Sequence, residues 1–116
     1  MRHLKKRSQF LNAARGTHLS GQLFVLQKAR SEYDDYAIGY TVTKRTGNSP
    51  ERNRIKRRLR AAVFACKSRF IAQHDYVLIG RRKALSAKFS TLVKNLEYAL
   101  EHVHKKQQVH RNKAAG

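Results

Sequence analysis

Two demands that no extended strand can satisfy meet between Pro50 and Phe70. Ile55, Leu59, Ala62, Val63, Cys66 and Phe70 recur at spacings of three and four, the period that places side chains along one side of an α-helix. The same stretch holds Arg52, Arg54, Lys56, Arg57, Arg58 and Arg60, six cations in nine positions. A helix reconciles the two sets by giving each its own side. At about 100° per residue, with Ile55 at zero, the apolar stripe covers about −20° to 80°. Asn53, Lys56, Arg57 and Arg60 then fall at about 160°, 100°, 200° and 140°, an outward face, with Arg54 and Arg58 at about 260° and 300°. Arg52 lies over the stripe, but in the first turn, where it can project past the core edge. Ser49 reads as the N-cap, Pro50 as the first helical residue and Glu51 as the complement to the helix dipole. The predicted helix runs from Pro50 to about Phe70.

A solvated helix face normally mixes signs, because like charges at i, i+4 repel. Here Glu51 alone offsets six cations, and the imbalance extends to the whole chain: 26 Lys and Arg against 7 Asp and Glu, a formal net charge of +19. Such self-repulsion works against a compact state and points to a polyanionic partner. Membrane is the weaker candidate. The longest apolar runs, Leu23 to Leu26 and Tyr76 to Ile79, fall far short of the ~20 residues of a spanning helix. No apolar core follows the basic opening residues, so no secretory signal is read and a cytoplasmic location is expected. Smaller basic groups stand at Lys5-Lys6-Arg7, at Lys44-Arg45 with Asn48, and at Arg81-Arg82-Lys83. Together they suggest a broad footprint on folded RNA.

The remaining elements are shorter. A helix capped by Ser8 and closed by Gly16 as a left-handed residue would put Phe10, Ala13 and Ala14 on one side. Gln22 to Gln27 reads as a strand, with a short one possible before it at Thr17 to Leu19. Tyr36 to Thr43 alternates cleanly: Ile38, Tyr40 and Val42 point one way, while Ala37, Gly39, Thr41 and Thr43 point the other. That small-residue side lets something approach the sheet closely. Tyr76 to Gly80 is a buried strand. Phe89, Leu92, Val93, Leu96, Ala99, Leu100 and Val103 form the stripe of a last helix from about Ser86 to Val103. The expected fold is α+β, a small mixed four-stranded sheet in the order α-β-β-β-α-β-α, forming one domain over residues 1–103. Residues 104–116 read as a basic disordered tail.

Signals for protein-based catalysis are missing. The chain has no phosphate-cradling glycine loop and no nucleophile elbow. A metal-dependent nuclease needs clustered carboxylates, and this sequence can barely supply them. Cys66 has no cysteine partner and falls on the apolar stripe. The six histidines lack ligand spacing, so neither a catalytic residue nor a metal site is assigned. Phe10, close to Lys6 and Arg7, could stack on a single-stranded base or pin its short helix to a core. Tyr40 and Phe24 read as packing residues.

Gly47-Asn48-Ser49-Pro50-Glu51-Arg52-Asn53-Arg54-Ile55-Lys56-Arg57-Arg58-Leu59-Arg60 closely resembles the signature segment of the ribonuclease P protein family. Gly39 to Arg45, Leu4 to Phe10 and Asp75 to Ala84 are similar to that family's third strand, opening segment, and fourth strand with its basic turn. The resemblance implies a left-handed crossover around the second helix, although right-handed ones prevail generally. It also implies a subunit that joins a catalytic RNA and helps remove the 5′ leader of precursor tRNA, with the chemistry in the RNA and its bound Mg²⁺. No protein partner is required. Carried onto this sequence, Arg52, Asn53, Arg54, Lys56, Arg57 and Arg60, with Lys44 and Arg45 nearby, would contact the catalytic RNA. Lys6 and Phe10 would line a cleft for the leader. This chain has Ala14 and Gln27 where the family often carries aromatic rings, which reduces the stacking surface of that cleft. The alternatives are a small basic ribosomal RNA-binding protein, separable by which RNA co-purifies, and a self-sufficient nuclease, separable by assay of pure protein.

Overall fold

A computed structural model describes residues 1–105 in full and the backbone of residues 106–115. The elements are β1 (Arg2–His3), α1 (Arg7–Ala14), β2 (Thr17–Ser20), β3 (Phe24–Arg30), β4 (Ala37–Thr41), α2 (Ser49–Ala65), β5 (His74–Gly80) and α3 (Phe89–Ala115), with 3-10 turns at Lys44–Thr46, Lys67–Arg69 and Arg82–Leu85. The fold is α+β, with one mixed sheet in the order β1-β4-β5-β3-β2. β4 and β5 are parallel neighbours joined through α2, whereas β3 pairs antiparallel with both β5 and β2.

The sheet has five strands where four were expected. The extra strand is β1, which pairs in parallel with β4 through Arg2↔Ala37 and His3↔Ile38. Two residues carry no periodicity, so this strand exists only because the edge of β4 is there to receive it. Arg2 fastens it, donating from Nη2 to the Asp35 carbonyl (2.7 Å) and to Asp75 Oδ1 (3.3 Å). β3 also outruns its expected end at Gln27, and β5 starts two residues before Tyr76. The residues that extend β3 pair with the opening residues of β5, as Lys28↔Tyr76, Ala29↔Asp75 and Arg30↔His74. Lys28, Arg30, His74 and Asp75 carry no apolar alternation of their own, and their cross-strand pairing makes them strand. Lys28 is buried, with Nζ 3.4 Å from the Val103 carbonyl.

Helices α2 and α3 cover one face of this sheet. Ile55, Leu59, Ala62 and Val63 of α2 meet Leu92, Leu96, Leu100 and Val103 of α3 above Leu26, Ile38, Tyr76 and Leu78. Each fully buried aliphatic side chain there contributes about 1.5–3 kcal/mol. Helix α1 covers part of the other face, where Ala13, Leu4, Ala37 and Val77 form a smaller cluster joined by Phe10, Ala29 and Ile79.

The helix ends differ from their expected positions. Asn48, rather than Ser49, caps α2: its Oδ1 accepts from the Glu51 amide, and Glu51 Oε1 accepts from the Asn48 amide, both at 2.9 Å. This reciprocal box satisfies two orphan donors and moves the start back by one residue. α2 stops at Ala65, and Phe70 reaches the core from beyond the following 3-10 turn, its ring stacked on Tyr36 at 5.2 Å. At α1 the helix opens after Lys6 rather than Ser8, because Gln9 Oε1 accepts from the Lys5 and Lys6 amides. Gly16 is not left-handed; it is required because a β-carbon there would lie 2.0 Å from the Lys28 carbonyl oxygen. α3 begins at Phe89, which is 44% exposed instead of buried. It also continues past Val103, and His104 Nε2 lies 2.9 Å from the Tyr76 hydroxyl. His104 therefore belongs to the fold and not to a tail, and Lys105 beside it is helical and paired with Glu101 at 3.1 Å; the rest of the tail expectation concerns residues 106–116, outside the fully described residues. Cys66 is buried as expected, and burial pushes its thiol pKa up.

Candidate nucleic-acid interface

The small-residue side of β4 is met by α1. A β-carbon on Gly39 would lie 2.7 Å from both Cε1 and Cζ of Phe10 and 3.2 Å from Leu4 Cβ. Phe10 is thus half-buried, anchored over a glycine, and its remaining surface faces a groove. That groove is lined by His3, Leu4, Phe10, Ile38, Gly39, Tyr40, Lys56 and Arg60 and encloses about 520 Å³, within the range of small-ligand clefts. A second groove of about 670 Å³ is lined by Ser49, Pro50, Asn53, Lys56, Arg57 and Arg60. Lys56 and Arg60 belong to both, so the two hollows adjoin along one side of α2. No carboxylate lines either of them.

The helical wheel placed Asn53, Lys56, Arg57 and Arg60 on one outward face, and the structure brings these four together. Other assigned residues stand apart from the grooves. Arg54, Lys44, Arg45 and Lys6 are exposed without lining either hollow. Arg52 is half-buried and donates to the Gly47 carbonyl and Ser49 Oγ, both at 3.1 Å, so part of its donor fork is committed to the helix start. Arg58, on the opposite flank, donates to the Ala87 carbonyl and ties α2 to the segment before α3.

Tyr40 and His3 are groove residues that sequence reasoning did not assign. Tyr40 packs against the main core with one part of its ring while the Arg60 guanidinium lies 5.4 Å from the ring centroid. Burial pushes its pKa up to about 12, with Arg60 only partly opposing, so it stays a neutral phenol that can donate a hydrogen bond. Only a position-by-position comparison of the two strand faces with the α2 wheel could have suggested this meeting. Sequence gave no signal for His3, whose place depends on β1.

Glu51, the one acidic residue near the cationic face, is neutralised locally. Arg82 Nη2 binds its Oε2 at 2.7 Å, and Arg82 Nη1 donates to the Thr46 carbonyl at 3.1 Å. The bond from Arg82, followed by that from the Asn48 amide, holds the carboxyl pKa below its usual value. The α2 start, the Lys44–Thr46 turn and the turn after β5 are thereby fastened together. The face presented to a partner is almost purely cationic.

A family model described as Ribonuclease P matches residues 1–104. The chain belongs to the ribonuclease P protein family. It is 39% identical over 103 residues to the ribonuclease P protein component of Brucella suis, spanning 80% of this chain and 73% of that one. The Erythrobacter litoralis component is 37% identical over 98 residues, spanning 84% and 81%. Among solved structures, the Staphylococcus aureus RNase P protein is similar at a TM-score of 0.72 and 29% identity, covering 94% of this chain and 97% of that one. The Thermotoga maritima RNase P protein reaches a TM-score of 0.76 at 25% identity, covering 89% and 98%. Membership makes this chain a protein subunit of a tRNA-processing ribonuclease with an RNA partner, and it separates the chain from ribosomal proteins of similar charge. Among the described residues, no helix is long and apolar enough to cross a membrane.

Proposed function

We propose that the outward face of α2 grips the catalytic RNA of ribonuclease P and that the adjoining groove beside Phe10 receives the single-stranded 5′ leader of precursor tRNA. The continuity of the two grooves through Lys56 and Arg60 carries this reading. Lys56 and Arg60 stand between the two RNAs: with Asn53 and Arg57 they face the catalytic RNA, and toward Phe10 they border the path of the leader. Guanidinium forks suit phosphate oxygens, and rings suit unpaired bases. Arg52, Arg54, Lys44 and Arg45 would widen the contact with the catalytic RNA, and Lys6 would hold leader phosphates at the α1 start. Ala14 is exposed and Gln27 half-buried, and neither supplies a ring; with Tyr40 packed in part against the core, leader stacking rests mainly on Phe10.

In this reading the cleavage chemistry belongs to the RNA. Asp75, Glu51, Glu97 and Glu101 are each paired with an Arg or Lys. Among the described residues, no group of three His, Cys, Asp or Glu side chains could share a metal ion. These residues do not fit a protein-held catalytic Mg²⁺, so the ion is assigned to the RNA. The test is an assay of precursor tRNA cleavage with protein alone, RNA alone and both, across magnesium concentrations. The complex should produce mature 5′ ends at moderate magnesium, where RNA alone is slow. Site-specific cleavage by rigorously purified, RNA-free protein would overturn the proposal.

A further inference from the structure

The cationic row of α2 does not end at Arg60. On the same wheel Phe64 falls at about 180°, between the directions of Asn53 and Arg57. Phe64 is 66% exposed, the highest value among the large hydrophobic residues described. One turn beyond, Lys67 places Nζ 4.7 Å from the Phe64 ring centroid. Single apolar residues on a surface need no explanation, but this one stands in line with Asn53, Arg57 and Arg60. It rises about 6 Å along the axis from Arg60, comparable to the step between neighbouring phosphates of a strand. Cations followed by an exposed ring with a cation beside it are what a flexible strand with unpaired bases would engage.

We infer that Phe64 and Lys67 form a nucleobase-stacking site: an unpaired base of the RNA partner lies on the Phe64 ring, and Lys67 holds the adjoining phosphate. The site rests on the proposal that the α2 face binds RNA and extends that footprint by a turn and a half toward the helix C-terminus. On the neighbouring α3, the Glu97 carboxylate binds Arg69 at 2.7 Å, and Lys67 Nζ is directed at the Phe64 ring. A protein partner of equal charge complementarity would need an acidic surface, whereas RNA supplies the anion and the flat apolar face together.

The chain contains no tryptophan, so Phe64→Trp introduces a single fluorescent reporter at the site. Phe64→Trp should assemble with the catalytic RNA as tightly as the parent, and its emission should be quenched on binding. Phe64→Ala and Phe64→Leu should each weaken assembly by about 5- to 150-fold, with an unchanged melting temperature and an unchanged salt slope, since no charge is lost. Lys67→Ala should lower the salt slope by about 0.7–0.9. Parent-like affinity of Phe64→Ala, or emission unmoved by RNA, would overturn the inference. Full affinity in Phe64→Leu would also overturn it, since bulk without a π face would then suffice. So would concentration-dependent self-association of the parent that Phe64→Ala abolishes. Loss of assembly in Arg57→Ala/Arg60→Ala, measured in parallel, shows that the α2 face still binds when the Phe64 variants are silent; silence in both would refute the wider proposal.

Discussion

Phe10 and Gly39 are matched: the tip of the Phe10 ring occupies the space a β-carbon on residue 39 would need, 2.7 Å from Cε1 and Cζ. Gly39→Ala should therefore displace the ring from the sheet. The cost should be about 1–3 kcal/mol, as for other overpacked sites, read as a lower melting temperature. If leader binding depends on where Phe10 sits, the same variant should also lose affinity for long-leader precursor tRNA. An unchanged melting temperature would show that the ring moves without cost.

Replacing the ring itself separates its two duties. Phe10→Ala removes a half-buried side chain, so the stability loss should stay below the ~3–5 kcal/mol of a fully buried phenylalanine. Binding should weaken by up to ~1–3 kcal/mol per base stacked, for precursor tRNA with a leader several nucleotides long and not for mature tRNA. Paired titrations of the holoenzyme with the two substrates, beside thermal melts of the free variant, make the measurement. Equal losses for both substrates would confine Phe10 to a packing role.

Arg57 and Arg60 are exposed, and the one fold contact given up is the surface cation–π contact of Arg60 with Tyr40, so the stability of Arg57→Ala/Arg60→Ala should lie within about 1 kcal/mol of the parent. Assembly with the catalytic RNA should weaken, and the log–log salt slope should fall by about 1.4–1.8 if each side chain contacts one phosphate. Arg58→Ala, on the flank that donates to the Ala87 carbonyl, should do the reverse: it should destabilise the fold and leave the salt slope nearly unchanged. A full salt slope in the folded double variant would place the RNA elsewhere.

Acid should destabilise the fold through His104, which meets the Tyr76 hydroxyl. Burial foremost, then the nearby charges of Lys28 and His74, lowers the His104 pKa to about 4, below the ~6.5 of an unfolded chain. The unfolded state therefore takes up the proton first. His104's contribution is complete above pH about 6.5 and is lost as pH falls from there toward about 4. One proton gives at most about 1.4 kcal/mol per pH unit, and partial exposure reduces it. His104→Gln keeps a polar partner for the Tyr76 hydroxyl and titrates nothing, so its stability should fall less steeply between pH 6.5 and 4.5. Parallel curves for parent and variant would assign the acid sensitivity to another group.

The sequence by itself determined the elements whose signals are local. The α2 stripe of Ile55, Leu59, Ala62 and Val63 is read from spacing alone because a helix is a one-dimensional object with a known period. The same wheel placed Asn53, Lys56, Arg57 and Arg60 together, and the alternation of β4 separated Ile38 and Tyr40 from Ala37 and Gly39. What lay outside local signals was decided by pairing and packing between distant segments. β1 exists because β4 offers an edge, and Lys28 to Arg30 are strand because His74 to Tyr76 lie opposite them. Ser49 lost the cap to Asn48 because the reciprocal bond to Glu51 satisfies two donors at once. The groove itself required tertiary structure: Tyr40, Phe10 and Arg60 lie on three elements, and no spacing in the chain records that a glycine at residue 39 lets a ring from α1 come down beside them.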